Sequence, residues 1–185
     1  INPNNASMLT LVAALAVAEA IKDVTGLDAR IKWPNDIVIN GKKICGILTE
    51  MSAQFDYINH IVIGIGINVH NEAFPEEISA VAGSILLESG GRRFRRAEII
   101  EKTLEHFEEY YEIYLQTEDL SALTADYNAM LVNMNKQVKV LDPKDEFEGK
   151  AMGITAKGEL IVDTWESRKL VSSGEVSVRG IYGYV

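Results

Sequence analysis

The sequence predicts an α+β protein, in which a mixed sheet packed with helices is followed by a small β-barrel. Two observations support this prediction. Before about residue 134, stretches with helical periodicity are interspersed with a few strongly apolar, strand-like runs. After that point only short strand-like runs remain, separated by turn-forming pairs such as Lys157-Gly158 and Ser173-Gly174. We therefore predict a first unit at residues 1–134 and a second unit at residues 135–185.

The first predicted element is a helix that runs from Ala6 to about Val24, where strong helix formers predominate. Gly26 is placed to end this helix, because glycine readily adopts the left-handed conformation found just beyond helix C-termini. A short strand follows at residues 29–33. Pro34 restricts the residue before it to extended geometry, so we expect the strand to end or bulge there.

A β-hairpin is predicted next, with strands at residues 37–39 and 42–48 joined by Asn40-Gly41. Asn-Gly is the preferred pair for a two-residue type I′ turn, which requires positive φ at both positions. This turn places Val38 opposite Lys43 across the ladder.

The remaining elements are predicted from periodicity. An apolar strand at residues 60–69 is expected to be covered on both faces, or on one face and an interface. Three helices should follow, at residues 79–89, 97–115 and 121–132. The long helix is expected to bury one stripe of side chains: Ile100, Leu104, Phe107, Tyr111 and Leu115. Short strands are predicted in the second unit at residues 137–141, 146–154, 160–163 and 176–179.

Composition limits the classes of function. The 185 residues carry a net charge of −9, so the chain is a poor non-specific binder of DNA or of anionic membranes. No apolar run approaches the roughly 20 residues that a membrane-spanning helix needs. With a single cysteine, Cys45, an internal disulfide is impossible, and we expect a small core residue in a cytoplasmic protein. The basic run at residues 92–96 is interpreted as a solvated loop, because no second basic element accompanies it.

Several common catalytic sites are excluded. The histidines, His60, His70 and His106, show no metal-ligand spacing, so we assign no residue to a metal. The sequence contains no Gly-x-Ser-x-Gly nucleophile elbow and no GxxxxGK[ST] phosphate loop. Gly64-Ile65-Gly66 suggests a dinucleotide-binding turn, but Val69 stands where that motif requires a third glycine. The alternative is a strand whose glycines permit close packing.

Two segments carry polar groups beside apolar strands. Lys32-Trp33-Pro34-Asn35-Asp36 gathers an ammonium, an indole, an amide and a carboxylate at one turn. Such groups must be satisfied, either by each other in a structural network or by a ligand. Lys43 follows the Asn-Gly turn, where a ligand phosphate would satisfy it, although lysines at hairpin tips are more often solvated. Trp165 and Tyr182 are expected to pack in the barrel, with a partner surface as the alternative.

Four motifs occur in an order that resembles one family. They are Lys32-Trp33-Pro34-Asn35-Asp36, Gly41-Lys42-Lys43-Ile44-Cys45-Gly46-Ile47-Leu48, Gly64-Ile65-Gly66-Ile67-Asn68 and Gly174-Glu175-Val176-Ser177-Val178-Arg179. Together they resemble the bacterial biotin–protein ligases (biotin–acetyl-CoA-carboxylase ligases). The resemblance implies a ligase domain related to class II aminoacyl-tRNA synthetases, followed by an SH3-like barrel. It further implies an enzyme that uses ATP and Mg²⁺ to form biotinyl-5′-adenylate, and then biotinylates the biotin carboxyl carrier protein of acetyl-CoA carboxylase.

The resemblance also assigns roles to individual residues. Lys43 matches the catalytic lysine, which also binds biotin, and Gly46 matches a backbone position that lines the biotin pocket. The implied nucleotide-binding residues are Lys32, Asn35, Asp36, Asn68 and Arg179. Of these, Arg179 would reach from the barrel towards the ATP phosphates.

The family's pattern is incomplete in these 185 residues. A Gly-Arg-rich biotin loop and a serine-threonine-asparagine biotin contact are not among them, so we expect the N-terminal portion of the ligase domain to be missing. This fragment is therefore expected to bind nucleotide weakly and to ligate biotin poorly or not at all. An N-terminal winged helix could bind DNA in a longer protein, but the fragment itself is not expected to bind nucleic acid.

The sequence leaves open one question of assembly and two alternative functions. A homodimer is possible, since family members often pair side by side through their sheets. A lipoate ligase or octanoyl transferase shares the fold, although the Lys-Trp-Pro-Asn-Asp run and the barrel argue against it. A non-catalytic binding module would use the strand at residues 64–69 for pairing and the barrel for a carrier protein.

Overall fold

A buried helix, α1 (Leu9–Thr25), lies at the centre of the fold in the computed structural model. A 3₁₀ turn at Pro3–Met8 leads into it, and the Asn2 side chain accepts a hydrogen bond from the Asn4 amide at 2.9 Å. Gly26 ends α1 with φ at 73°, as predicted. The structure describes residues 1–54, 57–142, 145–174, 177–181 and 183–185.

The first sheet has antiparallel strands in the order β1-β2-β3-β4. They are β1 (Arg30–Lys32), β2 (Asp36–Ile39), β3 (Lys42–Ala53) and β4 (Ile58–Ile67). β2 and β3 form the predicted hairpin, in which Val38 pairs with Lys43. Asn40 and Gly41 have φ angles of 51° and 78°, which is the left-handed geometry that a type I′ turn requires.

A bulge at the start of β3 changes the side on which Lys43 lies. The register shifts between Ile37 and Val38, so that Ile37 pairs with Cys45 while Val38 pairs with Lys43. Strict alternation would have grouped Lys43 with the buried Cys45. Instead its side chain reaches Gly46, where an added Cβ would lie 3.2 Å from the Lys43 ammonium. The bulge thus re-aims the lysine, a common effect of bulges near functional sites.

β4 is an edge strand of this sheet, and the side chains on one of its faces are exposed. Val62 and, on neighbouring β3, Leu48 are exposed large apolar side chains. Ile61 and Ile63 point the other way and pack against the core. Coverage of both faces is therefore not found, which leaves the predicted alternative of one covered face and an interface.

The predicted helix at residues 79–89 is wrong. The structure has two single turns there, α2 (Glu76–Ser79) and α3 (Ile85–Glu88). Between them the backbone pairs with Lys43, whose amide donates to the Val81 carbonyl at 2.7 Å and whose carbonyl accepts from Gly83 at 2.9 Å. This pairing with β3 uses backbone groups that a continuous helix would need for itself.

The long helix α4 (Arg96–Thr117) and the shorter α5 (Thr124–Met130) lie where predicted, but the buried stripe of α4 is wrong. Its buried residues are Ile99, Thr103 and Tyr114. Of the predicted stripe, Phe107 and Tyr111 are partly buried, while Ile100, Leu104 and Leu115 are exposed. Two apolar stripes lie one residue apart on this helix, and packing against α1 selects the other one.

The second sheet is antiparallel with the order β8-β7-β6-β5-β9. Its strands are β5 (Gln137–Leu141), β6 (Phe147–Ile154), β7 (Leu160–Asp163), β8 (Arg168–Val171) and β9 (Ser177–Gly180). β8 was not predicted, because it is a short, charged edge strand without an apolar alternation. The small antiparallel sheet is consistent with the predicted SH3-like fold.

Trp165 does not pack in this sheet. Its side chain is 92% exposed in the turn between β7 and β8, which is closed by a hydrogen bond from the Thr164 amide to the Ser167 carbonyl at 2.9 Å. Small aliphatic side chains such as Val138 and Val162 fill the buried positions instead. The alternative of a partner surface therefore remains a prediction. Tyr182 lies outside the residues that the structure describes.

The two sheets share one hydrophobic core. Trp33 is buried before β2, and its indole N–H donates to the carbonyl of Gly158, in the turn between β6 and β7, at 2.9 Å. The predicted boundary at residues 134/135 stays a prediction. Among the residues described, no helix combines the length and apolar character needed to cross a membrane.

Candidate active site

Two lysines share one buried carboxylate at the end of the Trp33-Pro34 turn. Asp36 opens β2 and is buried, with its Oδ1 2.5 Å from the Lys43 ammonium and its Oδ2 3.9 Å from the Lys32 ammonium. Lys32 is buried, whereas the Lys43 side chain is 41% exposed. We call these residues the Lys32–Asp36–Lys43 cluster. Its outermost member, Lys43, contacts both the carboxylate and solvent.

Local strand geometry brings the cluster together. Lys32 ends β1 and pairs directly with Asp36 at the start of β2, while Asp36 pairs with Gly46 on β3. Asn35, in the turn, is tied to β3 twice: its side-chain amide donates to the Ile47 carbonyl at 2.8 Å, and its carbonyl accepts from the Ile47 amide at 2.9 Å. The turn is thereby fixed on the same strand that carries Lys43.

The contact between Lys43 and Asp36 is an ion pair without hydrogen-bond geometry. Among the described residues, Asp36 Oδ1 is one of the buried side-chain atoms that has no hydrogen-bond partner, although the ammonium lies 2.5 Å away. The ammonium therefore keeps N–H donors for a further acceptor.

The cluster has an excess of positive charge. Burial lowers the pKa of the Lys32 ammonium, Asp36 opposes this shift, and the charges of Lys43 and Arg179 reinforce it. Arg179 lies exposed on β9, so the second sheet contributes a charge to a site built on the first. Three cations and one carboxylate in this group favour an anionic ligand.

Beside Lys43, glycines leave a strip of sheet without side chains. Gly46 on β3 pairs directly with Gly66 on β4, and Gly64 pairs with Leu48. A Cβ on Gly46 would lie 3.2 Å from the Lys43 ammonium, so glycine at this position leaves room for the lysine. A flat ligand could approach the backbone along this strip.

Asn68 follows β4 and is connected to Lys43 through the backbone. Its amide donates to the Ile44 carbonyl at 2.8 Å, and its side chain donates to the Gly83 carbonyl at 3.1 Å. Gly83 in turn donates to the Lys43 carbonyl. The structure thus places Asn68 near the base of Lys43, but gives it no direct side-chain contact with the cluster.

Sequence reasoning missed Tyr184. Its hydroxyl donates a hydrogen bond to Asp36 Oδ2, and its ring lies 4.3 Å from the Lys32 ammonium. Burial, followed by this hydrogen bond, raises the pKa of the Tyr184 hydroxyl. The only available signal was its place shortly after Arg179, since 148 residues separate it from Asp36.

A cavity of about 370 Å³ adjoins the turn. Its lining includes Pro34, Asn35, Ile47 and Thr49, together with Ser7 and Thr10 from the N-terminal segment. A larger cleft of about 600 Å³ lies elsewhere, beside Phe107, and contains none of the predicted site residues. We associate function with the smaller cavity, because it is lined by Asn35, which lies in the same turn as the Lys32–Asp36–Lys43 cluster.

The described residues give no group of three or more histidine, cysteine or acidic side chains that could hold a metal ion. Asp36 is the carboxylate at the centre of the cluster, and it already faces two ammonium groups.

Comparison with known proteins matches both parts of the chain. Residues 1–68 match the Biotin/lipoate A/B protein ligase family. Residues 134–179 match the Biotin protein ligase C terminal domain. The two matched regions end at Asn68 and Arg179, the last residues of two of the motifs described above.

Curated relatives carry ligase names. The Bifunctional ligase/repressor BirA of Bacillus subtilis is 37% identical over 172 residues, which are 92% of this chain and 52% of that protein. The Biotin–[acetyl-CoA-carboxylase] ligase of Mycobacterium tuberculosis is 31% identical over 172 residues, 91% of this chain and 61% of that protein. The chain therefore spans about half the length of the curated relatives it matches.

Solved structures share the fold. The crystal structure of biotin protein ligase from Aquifex aeolicus has a TM-score of 0.84 at 30% identity, covering 95% of this chain and 76% of that one. The same enzyme in complex with biotin and ATP has a TM-score of 0.82 at 31% identity, covering 94% and 71%.

Proposed function

Because the chain belongs to the biotin protein ligase family, we propose that it serves the ATP-dependent attachment of biotin to a protein lysine. In detail, the intermediate would be biotinyl-5′-adenylate, and the acceptor the biotin carboxyl carrier protein of acetyl-CoA carboxylase. One observation carries the proposal. The Lys43 ammonium lies at the Trp-Pro turn, 2.5 Å from Asp36 and beside the glycine strip, with part of its side chain open to solvent.

In the first step, an oxygen of the biotin carboxylate attacks the α-phosphorus of ATP. The bond from that phosphorus to the bridging oxygen breaks, and pyrophosphate leaves with the electron pair. Both reactants are anionic, so fixed cations aimed at the reacting oxygens stabilise the transition state. Lys43 would bind the carboxylate and α-phosphate oxygens, while Lys32 and Arg179 would supply positive charge for the remaining phosphates.

In the second step, the amine of the acceptor lysine attacks the acyl carbon of the mixed anhydride. The bond between that carbon and the phosphate oxygen breaks, AMP leaves as an anion, and the amine releases a proton to solvent. Lys43 serves this step as well, because the charge that develops on AMP lies on the same phosphate oxygens. One ammonium thus assists both halves of the reaction.

Two features around the cluster would bind the substrates: the glycine strip and the side-chain oxygens of two asparagines. The glycine strip at Gly46 and Gly66 would let the biotin ring system approach the backbone. Asn35 and Asn68 use their amide N–H groups within the chain, but in the described residues their side-chain oxygens accept no hydrogen bond. Those oxygens could accept from the amino group of adenine.

Mg²⁺ would enter with the nucleotide. When bound to the phosphates, it would neutralise part of their charge. Asp36 is the residue of the cluster that could approach it, but Lys43 and Tyr184 already engage this carboxylate. The phosphate contacts therefore fall mainly to the lysines and to Arg179.

A further proposal concerns how the chain divides into two units. We propose that residues 1–134 form the ligase unit and residues 135–185 the SH3-like barrel, since the two sheets have no strand in common.

The lipoate ligase alternative is not favoured, because residues 134–179 match a biotin protein ligase domain. A protein with one cysteine, buried in the sheet, suits the reducing cytoplasm.

The proposal is tested with Lys43→Ala. In a protein that contains residues 1–185, we expect biotinyl-adenylate formation to fall roughly 10²–10³-fold, as when one oxyanion donor is lost. Adenylate is measured by mass spectrometry, and biotin transfer to a carrier domain by streptavidin blotting. The same assay with lipoate in place of biotin separates the two acyl classes.

Lys42→Ala is the matched control. Lys42 precedes Lys43 on the same strand, but its ammonium donates to the Ala80 carbonyl at 2.6 Å, away from the cluster. We expect this variant to retain nearly the activity of the unmodified protein. Equal adenylate formation by the Lys43→Ala and unmodified proteins would overturn the role of Lys43 in the mechanism. Absence of adenylate formation from both would leave the non-catalytic module as the better explanation.

A further inference from the structure

The segment after β9 folds back over the candidate site. The Gly183 amide donates to the Gly180 carbonyl at 3.3 Å, which closes a turn. Val185 then contacts the hairpin, where an added Cβ on Gly41 would lie 3.3 Å from a Val185 methyl group. Between these two anchors, Tyr184 enters the Lys32–Asp36–Lys43 cluster.

Tyr184 occupies one oxygen of the shared carboxylate. Its hydroxyl donates to Asp36 Oδ2, the oxygen nearest to the Lys32 ammonium. Lys32 stays 3.9 Å from that oxygen, which is beyond hydrogen-bond distance. The Tyr184 ring covers the Lys32 ammonium at 4.3 Å, an arrangement typical of a cation–π contact.

Without the hydroxyl, Asp36 Oδ2 would be a buried carboxylate oxygen that lacks a hydrogen-bond donor. Lys32 is the adjacent cation and is itself buried, so the two groups would gain by closing to a direct ion pair. Asp36 would then hold the Lys32 ammonium in a direct ion pair, with no change in the net charge of the group. An anionic ligand arriving at the cluster would be attracted less strongly by Lys32.

We propose that Tyr184 is a positioning residue of this site: by donating to Asp36 Oδ2, it keeps the carboxylate from closing on Lys32, so that the charge of Lys32 remains available to attract a nucleoside triphosphate. This inference rests on the proposed function for the identity of the ligand. The effect on Lys32 itself does not depend on any ligand, which allows the two proposals to be tested separately.

The first experiment follows Lys32 alone. With lysines labelled by ¹³C at Cε, the pKa of Lys32 is measured by NMR in the unmodified chain and in Tyr184→Phe. Burial lowers this pKa, and Asp36 opposes the shift, with Lys43 and Arg179 as the other charges that act on the group. Closer approach of Asp36 in Tyr184→Phe should therefore raise the pKa of Lys32 towards its ordinary value.

Two further variants keep this test decisive. Gly180→Ala should displace the segment, because an added Cβ would collide with the Val185 carbonyl, and it should raise the Lys32 pKa as Tyr184→Phe does. Tyr110→Phe removes a hydroxyl on α4, away from the site, and should leave it unchanged. An unchanged Lys32 pKa in Tyr184→Phe overturns the proposal, whatever Gly180→Ala shows, because displacing the segment also exposes Lys32.

The second experiment measures ATP binding by NMR titration, which suits weak affinity. Tyr184→Phe should weaken ATP binding about tenfold, as for the loss of one hydrogen bond to a charged group. Lys43→Ala serves as the reference for the site. Equal binding by Lys43→Ala and the unmodified chain contradicts the proposed function, while the Lys32 pKa still reports on Tyr184. Loss in Lys43→Ala with full binding by Tyr184→Phe overturns the role of Tyr184 alone.

Discussion

Asp36 shows how one residue can organise a site that spans distant parts of the chain. Its carboxylate faces Lys32 and Lys43 from neighbouring strands, and it accepts a hydrogen bond from Tyr184. A lone buried carboxylate would be costly, but this one is surrounded by cations and a hydroxyl donor. The residue therefore ties a hairpin, a turn and the segment after β9 into one electrostatic unit.

Cys45, directly beside this unit, gives a prediction about pH. Burial raises the pKa of its thiol to about 12, from an ordinary 9.0, and Asp36 adds to the shift. The folded state therefore binds the proton more tightly than the unfolded state does. The stability linked to this thiol is complete below pH 9, is lost as pH rises, and is gone near pH 12.

The measurement compares the unmodified chain with Cys45→Ala by urea unfolding between about pH 8 and 10.5. The difference in free energy of unfolding should shrink with pH, by up to about 1.4 kcal/mol per pH unit above the ordinary thiol pKa. Comparison with the variant cancels the titration of tyrosines and lysines elsewhere. A difference that stays constant over this range would contradict the prediction.

Elements formed by local interactions were predictable, and those that depend on tertiary packing were not. The hairpin follows from Asn40-Gly41 alone, since few other pairs tolerate both left-handed positions. The bulge that re-aims Lys43 leaves no such local mark. Likewise the buried stripe of α4 was assigned one residue away, because the helix offers two apolar stripes and α1 decides between them.

The edge strand β4 gives a prediction about assembly. Its outer backbone is unpaired in the sheet order, and its exposed face carries Val62 beside Leu48. Such an edge tends to pair with another chain, so we expect a homodimer that Val62→Lys shifts to monomer. Light scattering after size-exclusion chromatography at tens of micromolar gives the mass. Leu104→Lys, at an exposed apolar position of α4, is the matched control. A monomeric unmodified chain would refute this expectation.

At the scale of the whole molecule, two matched tryptophans test how the sheets are joined. Trp33→Phe removes the hydrogen bond to the Gly158 carbonyl and leaves that buried acceptor unpaired. We expect the free energy of unfolding to fall by about 1–3 kcal/mol. Trp165→Phe, at an exposed turn, should change it by less than about 0.5 kcal/mol. Urea unfolding followed by far-UV circular dichroism measures both, and equal effects would argue against the joining role of Trp33.

The overall architecture could be predicted from the sequence, but the contact between Tyr184 and the site could not. Helical periodicity before residue 134 and short strands after it indicate the two units, and the ordered motifs indicate the family. The hydrogen bond from Tyr184 to Asp36 joins residues 148 positions apart. No periodicity or turn rule connects such residues, so Tyr184 became visible only in three dimensions.

The unequal surroundings of the two indoles also give the protein an intrinsic fluorescent probe. Trp33 is shielded and hydrogen-bonded next to Asp36, whereas Trp165 stands almost wholly in water. A dissolved quencher such as iodide reaches the second indole and not the first. The fluorescence that remains after quenching therefore comes from Trp33 in the core. Its emission wavelength reports on changes at the site without an added dye.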